Sequence, residues 1–171
     1  LPAMIRIRAA QTAEDHERSA ELLRGFPVHQ RVFYAANIAI VSRYFDEPAY
    51  EQEMIDLATV YGPRGGCVLM ALEDDALVGA VCMHSLYDTA CEMKRLFVPI
   101  AHRRKGIAET LCVALLDAAR EKGYARMRLD TGTFMVESQA LYRKLGFRYI
   151  QPYYNVPDDL RDGLVYMELE L

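Results

Sequence analysis

Apolar and charged positions alternate from Met4 to Ala10, with Ile5, Ile7 and Ala9 interleaved by Arg6 and Arg8. A period of two places one set on a buried face, so a first strand is predicted there. Thr12, followed by the acidic Glu14 and Asp15 and then by Leu22 and Leu23, is read as the N-cap of a helix expected to end near Gly25 to Pro27. Arg31 to Tyr61 lacks a strict period, but Met54, Ile55, Leu57 and Ala58 within Tyr50 to Val60 fall at helical intervals. Helices are predicted across this stretch, ending at the breaker Gly62-Pro63-Arg64-Gly65-Gly66.

The pattern then changes to short apolar runs. Cys67 to Leu72, Leu77 to Met83 and Cys91 to Val98 read as three strands pairing antiparallel, the first two joined by a turn at Glu73-Asp74-Asp75. From Gly106 to Lys122, Ile107, Leu111, Ala114, Leu115 and Ala118 share one helical face, and Gly123 stands at the C-cap. Arg126 to Thr131 alternates again, Val136 to Leu145 forms a helix closed by Gly146, and Phe147 to Ile150 and Leu164 to Leu171 are the last strands. Neither a repeat nor a long linker interrupts this order. One mixed α/β (α+β) domain over residues 1–171 is therefore expected, with Cys91 to Thr131 as its strand–helix–strand crossover.

Composition narrows the classes. With 171 residues, 52% of them apolar, the chain can bury one core and is short for two. It holds no run near the roughly 20 apolar residues that span a bilayer, so no membrane partner is expected. Leu1-Pro2-Ala3 precede Met4 without the basic start or apolar core of a signal peptide, and are expected to be an added remnant. Cys67, Cys82, Cys91 and Cys112 lie inside apolar runs with no Cys-x-x-Cys pair, which favours buried thiols, a cytoplasmic setting and no structural metal. His16, His29, His84 and His102 show no metal-ligand spacing and receive no role.

A net charge of -4 gives no field for a nucleic-acid backbone over the whole surface, yet basic residues bunch at Lys94, Arg95, His102, Arg103, Arg104 and Lys105. The last of these open the helix that starts at Gly106. Unpaired N–H groups and the positive dipole end favour an anion there, Gly106 and Ala108 permit close approach, and the basic side chains add charge-assisted donors. P-loop and Rossmann glycine patterns are both absent. A nucleotide with several phosphates fits this arrangement, and so does a nucleic-acid-binding module using Lys94 to Lys105. The second would show steep salt dependence and tolerate bulk at position 106.

Arg103-x-x-Gly106-x-Ala108 resembles the Arg/Gln-x-x-Gly-x-Gly/Ala motif with which GNAT acetyltransferases hold the pyrophosphate of acetyl-CoA. The preceding strand Glu92 to Val98, the later Ala140-Leu141-Tyr142-Arg143-Lys144-Leu145-Gly146-Phe147 and a terminal strand follow in the same order. The resemblance implies a GNAT-like domain whose central sheet is mixed, mostly antiparallel and flanked by helices. It implies acetyl-CoA as donor, its phosphates on Arg103, Arg104, Lys105, Gly106, Ile107 and Ala108 and its pantetheine arm along the backbone of Leu96, Phe97 and Val98. It casts Tyr142 as proton donor to the departing thiolate, Glu92 as the base for the amine, and a small molecule or a protein as the amine acceptor, with no metal and no nucleic acid. Met135 departs from the Asn that many relatives carry seven residues before the tyrosine. Tyr153-Tyr154-Asn155 either line an acceptor pocket or cover the core. A GNAT fold that senses CoA without turnover is also consistent with these residues, and the oligomeric state, a homodimer included, is left open.

Overall fold

The computed structural model describes residues 4–171. Leu1-Pro2-Ala3, the expected remnant, lie outside the described residues. Strand β1 (Ile5–Ala9) is followed by helix α1 (Ala13–Phe33), a 3-10 turn (Ala35–Asn37), and helices α2 (Ile38–Tyr44), α3 (Glu47–Ile55) and α4 (Leu57–Val60). Strands β2 (Cys67–Glu73), β3 (Ala76–Ser85) and β4 (Ala90–Phe97) come next, then α5 (Ile107–Glu121), β5 (Arg126–Gly132), α6 (Val136–Lys144), β6 (Arg148–Ile150) and β7 (Leu164–Glu170). The strands form one mixed sheet in the order β1-β2-β3-β4-β5-β7-β6. All neighbours are antiparallel except β4 and β5, which the α5 crossover makes parallel.

Each face of the sheet has its own core. On one, Ile107, Leu111 and Leu115 recur at helical spacing along α5 and are buried with Val78, Met83, Met127 and Tyr142. Gly79 of β3 allows close approach: a Cβ there would meet Leu111, Ile107 and Val98 at 3.1–3.2 Å. On the other face Leu23 and Phe26 of α1 pack with Val41, Tyr50, Met54 and Leu57 against Ala80, Cys82 and Phe97. Burying side chains of this size contributes roughly 1.5–3 kcal/mol each.

Helix α1 begins as expected, in a capping box in which the Thr12 hydroxyl accepts from Asp15 N at 3.1 Å and Asp15 accepts from Thr12 N at 3.3 Å. It does not end at Gly25 to Pro27. It continues through Pro27 to Phe33. Proline lacks the N–H that would bond the carbonyl of Leu23, and Tyr50 of α3 supplies the missing donor with its hydroxyl, 2.7 Å from Leu23 O.

The sheet is opened by a bulge. Ala80 faces Phe97 and Cys82 faces Lys94, so β4 holds one residue more than β3 between these pairs, and Arg95 takes φ +59 there. The parallel ladder is confined to Ala90, Cys91 and Glu92 with Arg126, Met127 and Arg128. Beyond Glu92 the two central strands separate, and the β5-facing backbone groups of Met93 to Phe97 have no strand partner among the described residues.

Candidate active site

Two cavities occupy the gap. The larger, about 490 Å³, lies between the end of β4, the start of α5, α1 and α6. Its walls include Leu96, Phe97, Val98, Arg103, Arg104, Gly106, Ile107 and Ala108. At Gly106, the residue before α5, φ is +74, and a Cβ would meet nothing within 4 Å. The first bond of the helix is Thr110 N to Gly106 O, so the preceding N–H groups open toward the cavity without intrahelical partners. Space, backbone donors and a left-handed residue coincide, as a pyrophosphate requires.

The basic residues around this turn divide their work. Arg103 turns inward: Nε donates to Val98 O at 2.8 Å, and Nη2 lies 2.9 Å from His29 Nε2. Burial, reinforced by Arg103, lowers the pKa of His29, so its neutral ring accepts this bond. Arg104 is exposed, at φ +61, lines the cavity and makes no hydrogen bond or ion pair among the described residues. Lys105 pairs with Glu73 at 3.2 Å and lies outside the cavity wall. Lys94 and Arg95 are not part of a basic surface at all. Their side chains are 18% and 9% exposed, so the run from Lys94 to Lys105 offers no continuous face to a nucleic acid.

The smaller cavity, about 70 Å³, fills the wedge between β4 and β5 and meets the larger one at Leu96, Met135 and Ser138. Tyr142 of α6 is 7% exposed and lines it. Its hydroxyl makes no hydrogen bond among the described residues, and burial, with Cys112, Tyr44 and Asp130 adding to it, raises its pKa well above the ordinary value. The phenol therefore keeps its proton at neutral pH. Met135, at the N-cap of α6, takes the Thr131 hydroxyl on its sulfur at 3.6 Å. Ser138 puts a polar group beside it.

Glu92 stands behind this pocket and lines neither cavity. His84 Nε2 lies 2.8 Å from Oε1, and the Tyr153 hydroxyl donates to Oε2. Burial pushes its pKa up, but His84, the Lys94 charge and Tyr153 outweigh burial and hold it below the usual carboxylate range. The carboxylate that does line the pocket is Asp130 of β5, which accepts from Tyr44 Oη at 2.5 Å and Tyr154 Oη at 2.8 Å. Lys94 Nζ donates to Tyr44 Oη at 3.1 Å. Tyr153 and Tyr154 thus reach the site through carboxylates and not as walls. Asp130, Tyr44, Ser138 and His29 were not singled out by sequence. For Asp130 a signal existed: an acid near the C-terminal end of a strand in a crossover unit, where open sheets bind ligands.

Residues 32–147 match the family model described as Acetyltransferase (GNAT) family. The chain belongs to that family. It is 37% identical over 102 residues to N-acetyltransferase 8 of Homo sapiens, covering 56% of this chain and 45% of that one, so it spans less than half of that relative. An N-acetyltransferase of Schizosaccharomyces pombe is 31% identical over 123 residues, covering 71% of this chain and 74% of its own. The fold is shared with an acetyltransferase from Streptococcus agalactiae, at TM-score 0.75 and 21% identity over 98% of each chain. It is shared also with a Bacillus subtilis acetyltransferase in complex with CoA, at TM-score 0.66 and 17% identity over 98% of this chain and 99% of that one. Among the described residues no group of His, Cys, Asp and Glu is placed to hold a metal ion, and no helix is long and apolar enough to cross a membrane.

Proposed function

We propose that this chain transfers the acetyl group of acetyl-CoA to a primary amine by direct attack in a ternary complex. The observation that carries the reading is the position of Tyr142, which lines the wedge pocket, itself sharing Leu96, Met135 and Ser138 with the cavity leading to Gly106, and whose hydroxyl has no hydrogen-bond partner among the described residues. Acetyl-CoA laid along that cavity, phosphates at the α5 N-terminus and arm beside Leu96 to Val98, brings its thioester to the parting of β4 and β5.

The chemistry follows from the groups at that point. An ammonium cannot attack a thioester, and free amines are mostly protonated at neutral pH. Asp130, the acid in the pocket wall, receives the proton directly or through water. Glu92, proposed by resemblance for that role, acts behind the pocket by fixing His84, Tyr153 and the Lys94 charge. The amine lone pair then adds to the thioester carbonyl, and unpaired backbone N–H groups of β4 stabilise the oxyanion. The oxyanion re-forms the C=O as the C–S bond breaks, and sulfur takes the bond pair and a proton from Tyr142. The second proton leaving the former amine nitrogen restores the Tyr142 phenol through water, while the proton on Asp130 passes to solvent.

Calorimetric titration and an amine screen followed with a thiol reagent test this reading. Heat from acetyl-CoA, none from DNA, and CoA release with part of the amine panel are expected. Stoichiometric CoA binding with no release on any amine would indicate a sensor; DNA heat without CoA heat would contradict the site altogether.

A further inference from the structure

We infer that the acceptor is an amine that also carries a carboxylate, a compound of the amino-acid type, with its carboxylate held by Lys94 and its ammonium toward Asp130. This rests on the acetyl-transfer reading, because it takes the wedge pocket as the acceptor's place. Lys94 and Asp130 both line that pocket, and neither lines the larger cavity that suits acetyl-CoA. They therefore face what the donor meets, not the donor's arm.

An ammonium has three donors. Among the described residues Lys94 Nζ spends one, on Tyr44 Oη at 3.1 Å. The nearest carboxylate oxygen, Glu92 Oε1, is 3.9 Å away, beyond hydrogen-bond reach, and is already taken by His84 at 2.8 Å. The side chain is only 18% exposed, so water satisfies the remaining donors poorly. Burial opposes the charge, but Tyr44, Asp130 and Glu92 outweigh it and hold the ammonium above its ordinary range. A fixed cation with unspent donors in a desolvated pocket is matched by an anionic oxygen.

The other pocket cation is unavailable for this. Arg95 gives Nε and Nη2 to the two oxygens of Glu53, at 2.8 and 2.6 Å, and the rings of Tyr44, Phe45 and Tyr50 enclose it. One available cation suits a single carboxylate and not a phosphate cluster. Asp130 is its counterpart for the amine. Lys94 and Asp130 bond the same Tyr44 hydroxyl, so they stand one hydroxyl apart, a separation that the two charged ends of an α- or β-amino acid can bridge. Ile40, Val41, Phe134 and Leu164 close the pocket with apolar walls.

The test sets free L-amino acids, each against its carboxamide and its decarboxylated amine, and follows CoA release. The best amino acid is expected to exceed its amide in kcat/KM by roughly 10- to 100-fold, the usual worth of a hydrogen bond to a charged group. Lys94→Met should collapse that ratio, and Lys94→Gln, which keeps a donor for Tyr44, should do the same in a protein of near-normal melting temperature. Equal or better turnover of amides and plain amines by the wild type would overturn the inference and leave acetyl transfer standing. So would a ratio unchanged in both variants. If no amine in either half of the panel releases CoA, the acetyl-transfer reading fails, and calorimetry of the amino acids on CoA-loaded protein decides the pocket: binding lost in Lys94→Gln supports the assignment, and no binding to the wild type overturns it.

Discussion

Tyr44 Oη donates to Asp130 Oδ1 at 2.5 Å, and through this contact α2 fixes the carboxylate that, among the described residues, lines the wedge between the central strands. Asp130→Asn keeps the shape and removes the charge. Turnover should fall about 10²–10⁴-fold, the range for a general base, with little change in acetyl-CoA affinity. Glu92→Gln should act mainly on melting temperature, because Glu92 anchors His84 and Tyr153. Rates per folded molecule, set beside thermal melts, separate the two. Loss of turnover in Glu92→Gln at wild-type stability, with Asp130→Asn active, would return the base to Glu92.

Gly106→Glu should abolish acetyl-CoA binding in a folded protein, since it fills open space at the helix start with bulk and negative charge. Gly106→Ala introduces no contact but must hold φ +74, at a cost of roughly 1–2 kcal/mol. A weaker affinity for acetyl-CoA and a small drop in melting temperature are expected, both read by titration and melting.

The Tyr50 hydroxyl is the donor that lets α1 pass through Pro27. Tyr50→Phe leaves Leu23 O buried without it and should destabilise by about 1–3 kcal/mol. Pro27→Ala restores the backbone N–H, so it should recover more stability in the Tyr50→Phe background than in the wild type. Denaturant melts of the four proteins in the cycle would show this coupling; additive effects would contradict it.

Asp15 receives two bonds of 2.7 Å from Arg8 and further ones from Gln11 N and Thr12 N. The Arg8 bond above all, then the Gln11 amide, holds its pKa well below the ordinary ~3.9, against the opposing effect of burial. A lowered folded-state pKa means stability that is fully present above the unfolded value and lost as pH falls below it toward the folded one. Melting temperatures between neutral pH and about pH 2 should fall more steeply in the wild type than in Asp15→Asn, whose side chain does not titrate there.

Local patterns in the sequence reached the strands, α5 and the glycine turn that opens it, because each is governed by residues a few positions apart. The apolar face Ile107, Leu111, Leu115 and the pair Gly106 and Ala108 needed no partner to be read. Pro27 misled because its remedy, the Tyr50 hydroxyl, comes from another helix and reaches the Leu23 carbonyl across 27 residues. The bulge at Arg95 left a trace, two successive charges where alternation should continue, but its consequence, a wedge between β4 and β5, depends on where β5 stops pairing. The wedge pocket is tertiary throughout. Tyr44 meets Lys94 across 50 residues and Asp130 across 86, and no spacing rule joins them.

Steady-state turnover of Tyr142→Phe, with the best acceptor and saturating acetyl-CoA, tests the central claim most directly. The substitution removes one hydroxyl that bonds nothing among the described residues and keeps the ring packed beside Phe147. Melting temperature and acetyl-CoA affinity should hold while turnover falls about 10²–10⁴-fold, since a thiol of pKa ~8.5 leaves more readily when protonated but does not require it. Wild-type turnover in a folded Tyr142→Phe protein would contradict the account and leave solvent as the source of the proton.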